Sequence, residues 1–435
     1  MIEINLGKNI FWTAVSRISA QGLIIFSTVL LARRLGNAGF GEYAFISAVM
    51  LIANSLTTFG TDMLLIREIA ARDDLSRLSV ALVLQLLLSG FFIILAWTFG
   101  AWFPNQSIET IKALQIYSLA LIPLAFFTVF TTALRGKQKM GAYNLLNLMM
   151  SILQVGIILL IPYNIISLFT ALLIMQIVIA LLAGIICTLT IGDLSRTRFF
   201  SFPSLYVLLK ESAPIAVLVL LGMIYQRLSI TMLSTMNGSA ETGIYSAASR
   251  AVEASKIIHF AAFTAMYPAM ASYKNGSVTN DSFTAQFSVT EDKNRTRDHI
   301  GLLGLLLAGT ILISIILFLF STPLMKFLYG NEFTVSASVL QILAWTLVPF
   351  TINSYLTLSF LASNREKVIG YVLIVSLLAL STLNLLWIPL YGALGSAWAV
   401  LAAECLQAII LLSSASSFVF LKGEASEFSK FSRKI

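Results

Sequence analysis

The sequence is poor in charge. Of its 435 residues only 11% are Asp, Glu, Lys or Arg, less than half of the share of about 25% that is typical of soluble domains. Hydrophobic residues make up 58% of the chain, and the mean hydropathy is +0.89. A chain of this composition has too little polar surface for a water-soluble globule, so a soluble enzyme is excluded and a membrane protein is predicted.

Cysteine and nucleotide-binding motifs are equally scarce. The two cysteines, Cys187 and Cys405, both fall in apolar stretches and lack the spacing of a metal site or a disulfide framework. The chain has no Gly-x4-Gly-Lys-Ser/Thr sequence, which argues against direct ATP hydrolysis. We therefore expect no metal and no cofactor beyond a coupled H⁺ or Na⁺ ion.

Long apolar stretches are abundant. About 20 such residues cross the hydrocarbon core of a bilayer as a helix. Twelve stretches reach this length, at about 10–32, 43–66, 78–103, 111–134, 142–162, 165–191, 211–235, 241–270, 300–322, 335–362, 368–389 and 393–421. The sequence therefore predicts an all-α polytopic membrane protein with about 12 transmembrane helices.

Lysine and arginine are distributed unevenly between the loops. Twenty of the 28 fall on the side of the N-terminus, and only Arg33, Arg34, Lys112 and Lys326 fall in the opposite loops. Because basic loops remain in the cytoplasm, we expect both termini there and the protein in the plasma (inner) membrane. The net charge of +8 then requires no nucleic-acid partner.

Three landmarks of the first half recur in the second half, in the same order. Gly36, Gly41 and Tyr43 return as Gly238, Gly243 and Tyr245 (shift 202), Leu121-Ile-Pro123 as Leu347-Val-Pro349 (shift 226), and Ile161-Pro162 as Ile388-Pro389 (shift 227). The shift changes because the second half contains a polar cytoplasmic loop at about 271–299. Six spans per half predict parallel repeats, namely two six-helix bundles, 1–200 and 201–435, around a central cavity.

Two of the recurring residues are prolines inside predicted spans. Proline lacks a backbone N–H, so Pro123 and Pro349 predict a kink or break in their helices. Broken helices that line a cavity are typical of transporters, and we interpret both prolines as hinges. Membrane helices also tolerate proline without such a role, and the sequence leaves this alternative open.

Eight ionisable residues fall inside the predicted spans. Four are basic and four are acidic or histidine: Arg17, Arg227, Arg250 and Lys256, and Asp62, Glu253, His259 and Glu404. A charge at the centre of a membrane helix costs about 2.5 to 3.5 kcal/mol even on the mildest scale, so we expect these side chains to face a hydrated interior. The excess of fixed positive charge predicts a cavity that binds anions.

Four of these residues, Arg250, Glu253, Lys256 and His259, recur every third position in the eighth span. Residues three apart are neighbours on a helix, so ion pairs of Glu253 with Arg250 and with Lys256 are expected. The series fits either a line of substrate or ion contacts or a polar seam that joins two helices. We favour the contact line because one carboxylate cannot neutralise two cations.

The N-terminal residues resemble a known family. The resemblance rests on Leu6-Gly-Lys-Asn-Ile-Phe-Trp12, Leu31-Ala-Arg-Arg-Leu-Gly36, Gly39-Phe-Gly-Glu-Tyr-Ala44, Phe59-Gly60 before Ile66-Arg-Glu-Ile-Ala70, and, in the second half, Gly243-Ile-Tyr-Ser-Ala-Ala-Ser-Arg250 and Tyr267-Pro268. These segments resemble the Wzx-type polysaccharide or O-antigen flippases of the multidrug/oligosaccharidyl-lipid/polysaccharide exporter superfamily. The resemblance implies two six-helix bundles around a cationic cavity and an isoprenoid-pyrophosphate-linked oligosaccharide as substrate.

We therefore expect a flippase that carries this substrate from the inner to the outer leaflet by alternating access, coupled to an ion gradient. Basic side chains suit a pyrophosphate, arginine above all because its planar fork binds phosphate oxygens in pairs. The expected substrate contacts are Arg17, Arg227, Arg250 and Lys256. The candidates for ion coupling are Glu253, Glu404, Asp62 and His259.

Two of the coupling candidates also have a structural interpretation. Glu404 fits a hydrogen bond between helices, and Asp62 fits a simple ion pair with Arg67. The sequence leaves both interpretations open beside the functional one.

Two other functions remain open. A multidrug or metabolite cation antiporter of the same fold would need a net acidic cavity, which the basic intramembrane residues oppose. A membrane-embedded glycan polymerase or ligase would need a catalytic cluster and a large outer loop, and the longest predicted outer loop has about a dozen residues. We therefore expect a monomeric non-enzyme whose partners are lipid-linked oligosaccharide, membrane lipids and other polysaccharide-assembly proteins.

Overall fold

The computed structural model describes the backbone of residues 3–161, 164–192, 202–256, 292–362 and 365–432. Side chains are described for 22–161, 164–192, 203–256, 303–361 and 365–415. All secondary structure in these ranges is helical, as predicted. His259, Pro162 and residues 271–291 of the predicted polar loop lie outside the described residues, and Arg17 has a described backbone only. Residues 292–299, predicted as the end of that loop, are helical instead.

The described ranges contain fourteen α-helices and two 3₁₀ turns. The helices are α1 (Glu3–Thr58), α2 (Thr61–Arg72), α3 (Leu78–Phe99), α4 (Ile108–Ser118), α5 (Leu121–Gly136), α6 (Met140–Leu160), α7 (Ile165–Ile191), α8 (Phe202–Asn237), α9 (Ser239–Ser255), α10 (Asp292–Leu319), α11 (Ser321–Tyr329), α12 (Ser336–Ala344), α13 (Leu347–Ala362) and α14 (Glu366–Ser432). The 3₁₀ turns are Gly100–Trp102 and Asn331–Phe333.

The helices form a polytopic membrane fold. Among the described residues, six helices are long and apolar enough to cross a membrane, and three bent helix pairs raise the number to nine. Two of the six divide at a glycine with non-helical backbone, Gly36 in α1 and Gly392 in α14. The apolar part of α1 alone has 37 residues, and a straight helix of that length would measure roughly 55 Å, well beyond a core of roughly 30 Å. Divided in this way, the helices match eleven of the twelve predicted spans, and the eighth is described only to Lys256.

The second span ends earlier than the sequence predicts. Instead of continuing to residue 66, α1 stops at Thr58, because Phe59 and Gly60 adopt left-handed backbone with φ of 49° and 65°. A Cβ on Gly60 would lie 2.9 Å from the backbone nitrogen of Ala216 in α8, so the close approach of α8 requires glycine. The predicted boundary at residue 66 is therefore wrong, and Asp62 lies in the first turn of a separate helix.

The two spans that contain the recurring prolines are broken in the same way. The α4–α5 pair bends by 40° and the α12–α13 pair by 41°. In each break the residue before the proline donates to the carbonyl three residues earlier, Ile122 to Leu119 and Val348 to Trp345. Pro123 and Pro349 both occupy the third position of the following helix, where a missing N–H removes little because the first N–H groups have no intrahelical acceptor. Whether these bends act as hinges stays a prediction.

A buried serine from the preceding long helix supports each break. Ser89 of α3 donates to the Leu121 carbonyl at 3.4 Å, and Ser314 of α10 donates to the Ala344 carbonyl at 2.8 Å. Positions 89 and 314 differ by 225, close to the shift of 226 that relates the two prolines. The acceptors are not equivalent, because Leu121 begins the helix after its break and Ala344 ends the helix before its break. The position of the serine is therefore repeated, whereas its acceptor is not.

The two halves meet through glycine at the start of the second span of each half. A Cβ on Gly41 would lie 1.8 Å from the Ser239 carbonyl oxygen, and a Cβ on Gly243 would lie 1.9 Å from the Asn37 carbonyl oxygen. Asn37 and Ser239 are related by the same shift of 202 as the two glycines, so the contact is reciprocal. Only glycine permits two backbones to approach this closely. We call these four residues the glycine contact.

Packing divides the chain into two compact units, one formed by 1–246 with 328–333 and the other by 247–327 with 334–435. The repeat in the sequence divides it near residue 200 instead. The difference arises because α8 packs along α1 and also contacts α2 and α3. The first helix of the second half thus belongs by packing to the first unit, whose core includes Phe45, Phe169 and Leu134.

Replacing Gly41 by alanine should destabilise the protein, because the new methyl group would collide with a carbonyl. We expect a loss of about 1 to 3 kcal/mol, the usual cost of overpacking, and a similar loss for Gly243→Ala. The measurement is the midpoint of thermal unfolding of the purified protein in detergent.

Gly90→Ala in α3 is the matched control, because no atom lies within 4 Å of its added Cβ. Its midpoint should stay equal or rise, since alanine favours helix over glycine by about 1 kcal/mol. A Gly41→Ala protein as stable as Gly90→Ala would show that the close approach is not needed.

Candidate functional site

Two of the four predicted cations lie on helices of the first unit. Arg227 of α8 is half-buried and lies ten residues before the end of that helix, which is roughly 15 Å, or half of the hydrocarbon core. Arg17 lies on α1, the helix along which α8 packs. Both cations therefore belong to helices that pack together, at positions far from the helix ends.

The other two cations lie in the second unit, on and just after α9. Arg250 Nη1 lies 2.8 Å from Glu253 Oε2, so the ion pair predicted from the spacing is confirmed. The two side chains keep 24% and 35% of their surface exposed. A pair enclosed between packed helices would lose nearly all of this exposure, so the pair retains an accessible side.

Lys256 makes a different contact from the predicted one. Its Nζ lies 4.2 Å from the centre of the Phe350 ring, where the spacing predicts a contact with Glu253. A cation–π contact is worth about 0.5 to 2 kcal/mol, but an aromatic ring carries no countercharge. The ammonium group therefore keeps its charge available to an anion. Phe350 directly follows Pro349, so this cation also touches the broken span.

Glu404 lies between α14 and α13. It is only 7% exposed, and Asn353, which is 4% exposed, donates to Glu404 Oε2 at 2.7 Å and to the Glu404 carbonyl at 3.1 Å. The hydrogen bond between helices that the sequence left open is therefore present. A buried carboxyl of this kind is costly unless it is protonated or balanced by a cation, so ion coupling at Glu404 stays a prediction.

Asp62 lies away from the other acidic candidates in the chain. It is half-buried in the first turn of α2, where its charge is favoured by the helix dipole. Among the described side chains, no ion pair joins Asp62 to Arg67. The interpretation as a simple partner of Arg67 therefore has no support, and its ion-coupling role stays a prediction, as does that of His259.

Two groups of ion pairs that the sequence did not predict lie near the ends of helices in the first unit. Arg77 binds Glu68 at 2.5 Å and Glu211 of α8 at 2.6 Å, and Lys137 pairs with Asp73. Sequence reasoning assigned these basic residues to membrane topology alone. Partners up to 134 positions apart leave no spacing signal, so only the fold could reveal them.

Loops from both halves fasten the helix ends beside the glycine contact. Asn105 donates to the Thr235 carbonyl at 2.8 Å, and Gln106 donates to the Ser234 carbonyl at 2.9 Å, at the end of α8. At the kink of α1, Asn37 donates to the Glu332 carbonyl at 3.0 Å. Gln106 and Glu332 are related by the shift of 226, so the corresponding loop of each half holds the first helix of the other half.

Solved structures share this fold. They include the lipid II flippase MurJ in an inward closed conformation, with 18% identity, a TM-score of 0.73, and coverage of 93% of this chain and 87% of that chain. An inward-facing multidrug resistance transporter of the MATE family, MOP superfamily, has 16% identity, a TM-score of 0.75, and coverage of 94% and 99%. A MOP superfamily transporter from Pyrococcus furiosus, described as having a binding pocket of reverse polarity, has 15% identity, a TM-score of 0.63, and coverage of 94% and 95%.

Identities this low show the fold alone, which is that of a polytopic membrane transporter. No curated protein matches the chain. A family model described as polysaccharide biosynthesis protein matches residues 6–274, which is more than half of the sequence. The chain belongs to the polysaccharide biosynthesis protein family.

Proposed function

We propose that the protein is a flippase that moves an isoprenoid-pyrophosphate-linked oligosaccharide, such as an O-antigen repeat unit, across the plasma (inner) membrane. The observation that carries the proposal is the charge on and just after α9. Arg250 and Lys256 are two cations that we expect at membrane depth, and of these Arg250 pairs with a carboxylate while Lys256 lies on an aromatic ring. The family match and the fold of flippases and transporters support the same function.

The chemistry of the substrate explains why such a site is needed. Moving an ionised group from water into hydrocarbon costs on the order of tens of kcal/mol, so a bare pyrophosphate does not cross a bilayer unaided. Arginine offers paired donors to phosphate oxygens and lysine offers a compact charge. Arg250 and Lys256 would stabilise the pyrophosphate at membrane depth, Arg17 and Arg227 would assist during loading and release, and the isoprenoid tail would stay in lipid.

A cation antiporter of the same fold is the second candidate, and the charges oppose it. Binding an organic cation requires fixed negative charge that is accessible in the membrane. Near the two cations of α9 the carboxylate of Glu253 is already paired with Arg250, and Glu404 is nearly inaccessible. The residues described here therefore suit an anion better than a cation.

The glycine contact suggests how alternating access is controlled. Together with the hydrogen bonds of Asn37, Asn105 and Gln106, it holds the kink of α1 against the end of α8 and the start of α9. With both termini in the cytoplasm, we expect these contacts on the outer side of the membrane. Release of the substrate to the outer leaflet would then require these contacts to open.

Arg250→Ala should abolish export of the glycan while the protein reaches the membrane at normal levels, because the pyrophosphate loses its paired donors. The measurements are surface polysaccharide and the lipid-linked repeat units that accumulate in the inner leaflet. Lys139→Ala is the matched control, since Lys139 is an exposed cation at the start of α6, and it should export normally.

The double variant Arg250→Glu with Glu253→Arg separates substrate contact from packing. It retains an ion pair at the same spacing but moves the cation by one helical turn, so we expect export to stay low. Restoration of export by this exchange, or near-native export by Arg250→Ala, would assign the pair to a polar seam between helices and remove Arg250 from the site.

Glu404→Gln should keep the hydrogen bond from Asn353 but lose any dependence on an ion gradient, because glutamine accepts a hydrogen bond and cannot bind a proton. The assay is flipping of the lipid-linked oligosaccharide in proteoliposomes with imposed pH or Na⁺ gradients. Glu366→Gln, at an exposed position of α14, is the control and should respond like the wild type. A Glu404→Gln protein that still responds to the gradient would leave Glu404 with a packing role only.

A further inference from the structure

Helix α6 carries a row of uncharged polar side chains at membrane depth. Asn144, Asn147, Ser151 and Gln154 follow each other at spacings of three, four and three residues. This spacing places all four on one face of the helix. We call them the α6 stripe. Sequence analysis of charged residues alone did not identify it, because none of its members is ionisable.

The stripe faces the interior of the first unit rather than the lipid. The exposed apolar residues Leu145, Ile152 and Leu159 of α6 recur every seven positions, about 120° around the helix from the centre of the stripe. The exposed residues Leu153 and Leu160 lie about 140° to 160° from that centre, and Met140 is exposed at the first position of the helix. Ser151 is buried and the three carboxamide residues are half-buried. Half-buried side chains keep part of their surface accessible to water or a ligand.

The carboxamides of the stripe have hydrogen-bonding capacity to spare. Asn147 donates to the Tyr143 carbonyl of its own helix at 2.9 Å, which uses one of the four positions that an amide offers. Gln154 makes no hydrogen bond to any other residue that the structure describes. Leaving the amide groups of Asn147 and Gln154 incompletely paired in hydrocarbon would cost several kcal/mol each, so these two residues require water or a polar ligand.

The second half of the chain lacks this stripe. Under the shifts of 226 and 227 seen for the neighbouring landmarks, Asn144 corresponds to Gly370 or Tyr371, Asn147 to Leu373 or Ile374, Ser151 to Leu377 or Leu378, and Gln154 to Leu380 or Ser381. The second-half helix carries buried polar residues, Ser376 and Asn384, but at other positions. The repeated fold therefore does not need carboxamides at the stripe positions, which favours a ligand over a packing role for them.

The position of α6 relates the stripe to the proposed substrate. Arg34, at the kink of α1, donates to the carbonyls of Ile158 and Leu159 and fixes the end of α6. Helix α6 also packs along α1, the helix that carries Arg17. In a lipid-linked glycan the first sugar is joined directly to the pyrophosphate, so a sugar-binding surface belongs beside the helix of a cation.

We propose that the α6 stripe binds the saccharide portion of the lipid-linked substrate and sets its specificity. This inference rests on the proposed flippase function. Sugar hydroxyls donate and accept hydrogen bonds, and a carboxamide does both without carrying charge. Neutral groups also leave the pyrophosphate to the cations. A site that hydrogen-bonds a hydroxyl discriminates strongly against a ligand that lacks it, because its own polar groups are then left unpaired.

The test compares two substrates in proteoliposomes containing the full-length protein. One is the lipid-linked repeat unit extracted from cells that express the protein, and the other is polyprenyl pyrophosphate without sugars. Gln154→Leu and Asn147→Leu should lower flipping of the repeat unit at least tenfold. Binding of polyprenyl pyrophosphate and the midpoint of thermal unfolding should stay at wild-type values. Ile152→Ala, on the lipid-facing side of α6, is the control. It should change neither the flipping of the repeat unit nor the binding of polyprenyl pyrophosphate.

Three outcomes would overturn the inference. An equal loss in flipping of the repeat unit and in binding of polyprenyl pyrophosphate would mean that the stripe positions the pyrophosphate site. A lower unfolding midpoint would mean that the stripe joins α6 to α1. Wild-type flipping of the repeat unit by the two variants would mean that the stripe has no role in recognition. Failure of the wild-type protein to flip the repeat unit is a separate result, which contradicts the flippase function itself.

Discussion

A bilayer offers the backbone no hydrogen-bond partner, so a break within a span requires partners from the protein itself. At the two bent spans these partners include 3₁₀ bonds within the break, from Ile122 to the Leu119 carbonyl and from Val348 to the Trp345 carbonyl. The hydroxyls of Ser89 and Ser314 also donate to carbonyls beside the two breaks. Because the 3₁₀ bonds recur at corresponding positions, the bends of 40° and 41° are part of the repeated architecture.

On this common scaffold the two compact units carry different chemistry. The described second unit holds the Arg250–Glu253 pair, the Lys256–Phe350 contact and the buried Glu404 with Asn353. The first carries Arg227 and the neutral carboxamides of α6. The proposed substrate is equally uneven, with a charged pyrophosphate, a neutral glycan and an apolar tail. A repeated fold with unlike surfaces can therefore bind the parts of one ligand separately.

The sequence was sufficient where a signal is local. Span length and the recurring Gly and Pro residues predicted the helical membrane fold and the repeat, and the i, i+3 spacing predicted the Arg250–Glu253 pair. The sequence was not sufficient where a residue far away in the chain determines a helix end or a side-chain contact. The end of the second span depends on α8 approaching Gly60, Lys256 turns to an aromatic ring 94 positions away, and the Arg77–Glu211 pair joins residues 134 positions apart. The α6 stripe was readable from its spacing, but a search limited to charge passed over it.

The glycine contact has a consequence for the origin of the chain. Gly41 meets the residue that corresponds to Asn37, and Gly243 meets Asn37 itself, which is the pattern of an isologous interface, in which residue i touches j and j touches i. Two identical six-span chains would form the same interface as a symmetric homodimer. The pairing geometry of the two halves is thus the one expected from duplication of a six-span chain. A substitution of either glycine would also disturb the contact that the other glycine makes.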